Sequence, residues 1–127
     1  MVRILILVIL HLFGDFFLQS LKLNKLKASK LPYLVKHVGI YTLVFIVLSP
    51  LLIGFTFLQG LVYSLINGVV HLFVDFFTIK LKNEYREKSE IIYIAVIAFD
   101  AVLHILILVT TLILLYPDVF NAPYLFG

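Results

Sequence analysis

Four apolar runs, each close to the ~20 residues a helix needs to cross a bilayer, leave this chain few folds to choose from. They occupy residues 1–20, 32–54, 60–80 and 91–116, to within a residue or two. A bilayer interior admits only helices or closed barrels, because unsatisfied backbone groups there are costly. Runs this continuous do not alternate as barrel strands do. Composition agrees: 63% hydrophobic and 13% charged residues leave too little polar surface for a soluble domain of 127 residues. The reading is an all-α integral membrane protein, a four-transmembrane-helix bundle in one domain over 1–127, with a short tail over 117–127. Pro50 predicts a kink or early end in the second helix. Pro117 and Pro123 stop the last one. The first run passes into Asp15 and Gln19 without a small-residue cleavage site, so it reads as a retained helix and not a signal peptide. Cysteine is absent, which removes disulfides and thiolate ligands.

The charges sort by loop. Lys22, Lys25, Lys27, Lys30 and Lys36 follow the first run, and Lys80, Lys82, Arg86 and Lys88 follow the third. The connection near residues 55–59 carries no charge, and the tail carries only Asp118. By the positive-inside rule both basic loops face the cytoplasm of a bacterial inner membrane and both termini face out, with Arg3 the one dissenting charge. Tyr33, Tyr93, Tyr116 and Tyr124 suit the interfacial belts. No nucleotide loop or nucleophile elbow is present, and the basic loops are too short to argue for nucleic acid.

One phrase is written twice. His11-Leu-Phe-Gly-Asp15-Phe-Phe recurs as His71-Leu-Phe-Val-Asp75-Phe-Phe, with six of seven positions identical. The apolar matches are cheap in this chain; the His and Asp matches are not. Each copy opens a two-helix hairpin, so the chain reads as a duplicated hairpin, a parallel repeat about an axis along the membrane normal.

Each helix also carries one polar stripe at steps of three, four or seven, which places its members on one face. The stripes are His11, Asp15, Gln19 and Lys22; Tyr33, His37 and Tyr41; Ser64, Asn67, His71, Asp75 and Lys82; and Tyr93, Asp100, His104 and Thr111. All four histidines are included, and Asp15, Asp75 and Asp100 each stand four residues from one of them. An aspartate at bilayer depth costs ~2.5–3.5 kcal/mol on insertion scales, so three of them mark a functional site by default. The site falls in the cytoplasmic half, with His37 at its mouth.

Imidazole and carboxylate without sulfur suit zinc, manganese or iron. His11, Asp15, His71, Asp75, Asp100 and His104 are the candidate metal ligands, for one shared site or two. His37 is the candidate catalytic acid/base. Lys22, Lys36, Lys80 and Lys82, with Gln19 and Asn67, are the candidates for holding an anionic headgroup. Haem is not favoured, because an aspartate one turn from His11 and His71 suits a haem face poorly. The leading function is metal-dependent, hydrolase-like chemistry on an anionic lipid or amphiphile. The alternatives are a proton- or metal-ion-coupled small transporter or channel, and a structural or signalling membrane partner, any of them in a homo-oligomer.

With these residues in hand, the chain resembles an uncharacterised family of small bacterial inner-membrane proteins. The resemblance is carried by His11-x-x-x-Asp15-Phe16-x-x-Gln19, the lysine-rich loop, His37, Asn67-Gly68-x-x-His71-x-x-x-Asp75, and the Asp100/His104 pair. It implies a membrane protein with this His/Asp set as its site, and no particular reaction. A looser similarity, in the four-residue spacing of His and Asp, links the chain to membrane-bound metal-dependent hydrolases.

Overall fold

The computed structural model describes residues 1–17 and 30–123, and every regular element in them is helical. Helix α1, Val2–Leu12, runs directly into a π-helical turn, Phe13–Phe17. Then follow α2, Leu31–Ile53; α3, Phe57–Tyr85; α4, Glu90–Leu115; and a short α5, Pro117–Asn121. Helices α2, α3 and α4 are each long and apolar enough to cross a membrane. The expected first span contributes the eleven residues of α1 and the five of the π turn. Its last stretch, with Gln19, lies outside the described residues, as do Lys22, Lys25, Lys27 and Tyr124.

Local chemistry sets the helix ends. Pro32 sits in the first turn of α2, where its missing N–H costs nothing. Gly54, with φ of 89°, ends α2 in the left-handed conformation that glycine adopts without penalty. Thr56 and Gln59 form a reciprocal capping box at the start of α3, at 2.9 and 3.2 Å. Ser89 caps α4 through the Ile92 N–H.

Two expected boundaries move. Pro50 does not end α2, which continues to Ile53. Its ring lies against Gly60, where a Cβ would come within 2.6 Å of Pro50 Cγ. Helix α3 runs past Lys80 to Tyr85, so Lys80 and Lys82 stand on its last turns and not in a loop. No helix breaker lies between them and Tyr85.

Successive helices run antiparallel. Arg3 reaches the Ile53 carbonyl at 3.1 Å, and Tyr63 reaches that of Leu108 at 2.8 Å. Arg3 also donates to Ala122 O at 2.6 Å, tying α1, α2 and the segment after α5 together at one end. Leu7, Leu10, Phe45, Ile53, Phe55, Tyr63, Leu108 and Leu112 fill the core of that half. Helices α2 and α3 meet at Gly68, where any Cβ would overlap the Thr42 side chain. Outside, Val47, Phe73, Ile91, Phe99 and Leu114 stand exposed. A soluble surface would not carry so many large apolar groups.

The doubled phrase folds in two ways. The second copy is α-helical throughout, while Phe13–Phe17 of the first copy form the π turn. Gly14 stands where the second copy has Val74. A Cβ at Gly14 would lie 3.2 Å from the Tyr41 ring, so glycine lets the π turn close on α2.

Candidate metal centre

Four elements deliver the polar groups to one place in the half opposite the Arg3 tie. The π turn supplies Asp15, α2 supplies His37 and Tyr41, α3 supplies His71, Asp75, Thr78 and Lys82, and α4 supplies Asp100 and His104. His37 is wholly buried, and His71, Asp75 and His104 nearly so.

The centre holds two donor groups. In the first, His37 Nε2 lies 2.8 Å from Asp15 Oδ1 and 3.4 Å from Asp75 Oδ2. His71 Nε2 lies 3.8 and 3.5 Å from the same two oxygens. All four donor atoms fall within 4.8 Å of one another, a group that can hold a metal ion. The donor types fit, and three of the four cross distances, 3.4–3.8 Å, are near ligand spacing, while the 2.8 Å His37–Asp15 contact is a hydrogen-bond length. Tetrahedral zinc, with bonds of about 2.0–2.1 Å, spaces its ligand atoms about 3.3–3.4 Å apart.

The second group is Asp75, Asp100 and His104. Here the other oxygen of Asp75, Oδ1, lies 3.6 Å from His104 Nε2. Asp75 therefore turns one oxygen to each group. Asp100 is already engaged: Lys82 Nζ sits 2.7 Å from its Oδ2, and Thr78 donates to its Oδ1 at 2.6 Å. His104 Nδ1 lies 2.7 Å from the Asp100 carbonyl oxygen, one turn back on α4.

Asp15 and Asp75 converge at small separation and low exposure, and like charges that close raise the cost of ionising both, which a nearby positive charge or a shared proton relieves. Among the described residues, both ring nitrogens of His71 and Nε2 of His104 are buried without a hydrogen bond. A buried polar atom in that condition calls for a ligand, an ion or a proton.

Not every expected residue joins. His11 belongs to neither donor group: its Nδ1 is 3.2 Å from the Tyr41 hydroxyl, and its ring stacks on His104 at 5.2 Å. The π turn explains this, since it breaks the α-helical register that would put His11 and Asp15 on one face. His37, expected at the mouth, lies inside the first group. Asn67 is buried and turns its amide back to the Tyr63 carbonyl at 2.8 Å. Lys36 is exposed, and exposed Lys80 lies over the Phe76 ring at 4.1 Å. Of the expected headgroup lysines described, only Lys82 touches the centre. Gln19 and Lys22 lie outside the described residues.

One participant was not expected, and another was read only as a stripe member. Tyr41, in the polar stripe with His37 but not among the candidate site residues, stacks on His71 with ring centroids 4.1 Å apart. Thr78 stands three residues after Asp75 and four before Lys82, a spacing that puts it on their face.

A family model described as "Protein of unknown function (DUF3307)" matches residues 4–126, and the chain belongs to that family. No curated protein and no solved structure matches it.

Proposed function

We propose that the protein is a membrane-embedded metal-site protein whose four donor atoms on Asp15, His37, His71 and Asp75 hold a divalent ion for hydrolase-like chemistry on an anionic amphiphile. The observation that carries this reading is the convergence of those four buried atoms within 4.8 Å. Zinc, manganese and iron suit the donor types. Such an ion polarises a phosphoryl oxygen and lowers the pKa of water.

The chain's own residues have distinct tasks in this reading. Asp15, His37, His71 and Asp75 bind and orient. Lys82, beside the site and one-fifth exposed, offers positive charge to an anionic headgroup. His11, outside both donor groups, is the histidine left to carry a proton. Hydrolysis of a phosphoester forms a bond from water oxygen to phosphorus, breaks the ester bond, and returns a proton to the departing alkoxide. A phospholipid or polyprenyl phosphate is the substrate class that a site within an apolar bundle would meet.

The membrane setting belongs to the same proposal. Four spans, with α1 and its continuation as the first, a parallel repeat, both basic segments in the cytoplasm and both termini outside form one consistent arrangement. Supporting it, Lys30 and Lys36 at the start of α2 share one end of the molecule with Lys80, Lys82, Arg86 and Lys88. The same residues serving ion transport is the competing reading. Against it, Leu7, Phe45, Leu108 and Leu112 pack as an apolar core beyond the centre among the described residues.

Metal analysis of the detergent-purified protein is the test, paired with phosphoester lipid turnover in proteoliposomes before and after chelation. One equivalent of metal, and turnover that chelation abolishes, is the expected result. Substoichiometric metal after reloading would sink the reading.

A further inference from the structure

Lys36 and Lys80 do not touch the metal centre, and a groove between α2 and α3 gives them another setting. The groove has a volume of about 450 Å3 and lies on the outer face of the two helices. Val35, Leu43 and Ile46 of α2 and Leu65, Val69 and Leu72 of α3 line it, and its walls are almost wholly apolar. Thr42, also on the wall, gives its hydroxyl to the Val38 carbonyl at 2.8 Å, so its donor is spent. Gly39 deepens the groove: a Cβ there would meet nothing within 4 Å. Both lysines stand on the groove's own face of their helix. Lys36 is two turns before Leu43, and Lys80 is three turns beyond Val69. Lys80 also lies over the Phe76 ring at 4.1 Å, and Phe76 is one turn beyond Leu72. Its ammonium is thereby drawn toward the end of the groove that Lys36 flanks. Both lysines are exposed, and neither pairs with a carboxylate among the described residues. Glu84, one turn past Lys80, faces Lys88 at 3.4 Å.

We infer that this groove seats one anionic phospholipid of the surrounding bilayer, with an acyl chain between α2 and α3 and its phosphate against Lys36 and Lys80. An apolar trough with two cations at one end matches an amphiphile whose charge sits at one end. Along α2 the groove spans Val35 to Ile46, roughly 16 Å at the helical rise, close to half the ~30 Å hydrocarbon core of a bilayer. An acyl chain of one leaflet has that reach. Apolar contact alone does not choose a lipid, because lipid tails are as apolar as the groove. The choice falls to the lysines, each of which favours an anionic lipid by about fivefold near a membrane surface. A second copy of the chain is the poorer occupant. Seated on this face about a two-fold axis along the membrane normal, it would bring its own Lys36 and Lys80 to the same end, where like charges repel. The lipid seat needs no metal, and its fate is separate from that of the centre.

The experiment records electron paramagnetic resonance of chain-labelled lipids around the full chain in phosphatidylcholine vesicles. Spin-labelled phosphatidylglycerol and spin-labelled phosphatidylcholine are compared at equal mole fraction. The expected result is one motionally restricted site per chain that prefers phosphatidylglycerol by at least about tenfold. Lys36→Gln with Lys80→Gln is expected to bring the two lipids to within about twofold of each other. Gly39→Leu, whose side chain enters open groove, is expected to remove that one restricted lipid while both lysines stay in place. Equal restriction of the two lipids by the wild type overturns the seat. A preference that survives the double lysine variant overturns it as well, because other basic residues then hold the headgroup. One that survives Gly39→Leu takes the chain out of the groove and overturns it too. A wild-type dimer that Gly39→Leu dissolves gives the groove to a second copy instead. Should Gly39→Leu fail to fold, the wild-type comparison and the exposed lysine pair still decide.

Discussion

Asp15 Oδ1 lies 2.8 Å from His37 Nε2, joining the π turn that follows α1 to the buried face of α2. The pair is both a donor set and a tie between two helices. Asp15→Asn keeps the shape and one oxygen acceptor but removes the charge. The expected outcome is a metal affinity lowered at least 100-fold, which is ~2.7 kcal/mol, with helix content unchanged. Metal titration beside circular dichroism on the same sample checks both halves.

Close approach of α2 and α3 depends on Gly68. A Cβ there would run into Thr42, whose hydroxyl is held by the Val38 carbonyl at 2.8 Å. Gly68→Ala is therefore expected to cost about 1–3 kcal/mol, the usual range for overpacking. Thr42→Ala in the same chain should recover most of it, because the clash is with that side chain. A double-mutant cycle on reversible unfolding in mild detergent measures the coupling.

Much of this architecture is legible in the sequence, and the parts that are not have physical reasons. Apolar runs announce α2, α3 and α4 because a bilayer-length helix has no polar residues to spare. The spacing of Asp75, Lys82, Asp100 and His104 also points to one region, because α3 and α4 keep regular α-helical register. That same assumption fails for His11 and Asp15. A four-residue spacing implies a shared face only in an α-helix, and Phe13–Phe17 wind as a π turn. So Asp15 turns to His37, and His11 to Tyr41. Gly14 was readable as a close-approach residue, but the change of winding beside it has no period of its own to detect. Thr78 escaped for another reason: a threonine in an apolar helix usually bonds back to its own backbone, and only the fold shows it facing Asp100.

Lys82 and Asp100 form the one pair of opposite fixed charges found at the centre among the described residues, at 2.7 Å. Lys82→Met leaves Asp100 with the Thr78 hydroxyl and, at 3.5 Å, His104 Nδ1, in a site where the carboxylate is 13% exposed. Removing one partner of a buried pair costs about 3–5 kcal/mol, and the partial exposure here should bring the loss below that range. Lys82→Met with Asp100→Asn removes both charges and is expected to recover most of the stability. If the single and double variants unfold alike, the pair is not the source of the loss.

Metal loading should stabilise the whole bundle, because the first donor group draws on three separate elements: the π turn, α2 and α3. An ion bound only by the folded state adds RT ln(1 + [L]/Kd), or ~2.7 kcal/mol at a free concentration of 100 Kd. Acid should remove that gain. The histidines must be neutral and the aspartates ionised to bind, so affinity falls as pH drops and protons compete for the same lone pairs. Thermal unfolding is then expected to show a metal-dependent rise in Tm at neutral pH that shrinks steadily with acidification. At the same free concentration Asp15→Asn, binding at least 100-fold more weakly, should keep no more than ~0.4 kcal/mol of that gain. A full-size metal-dependent rise that survives in Asp15→Asn would mean the ion binds elsewhere, since the two carboxylates of the first group come from Asp15 and Asp75 alone.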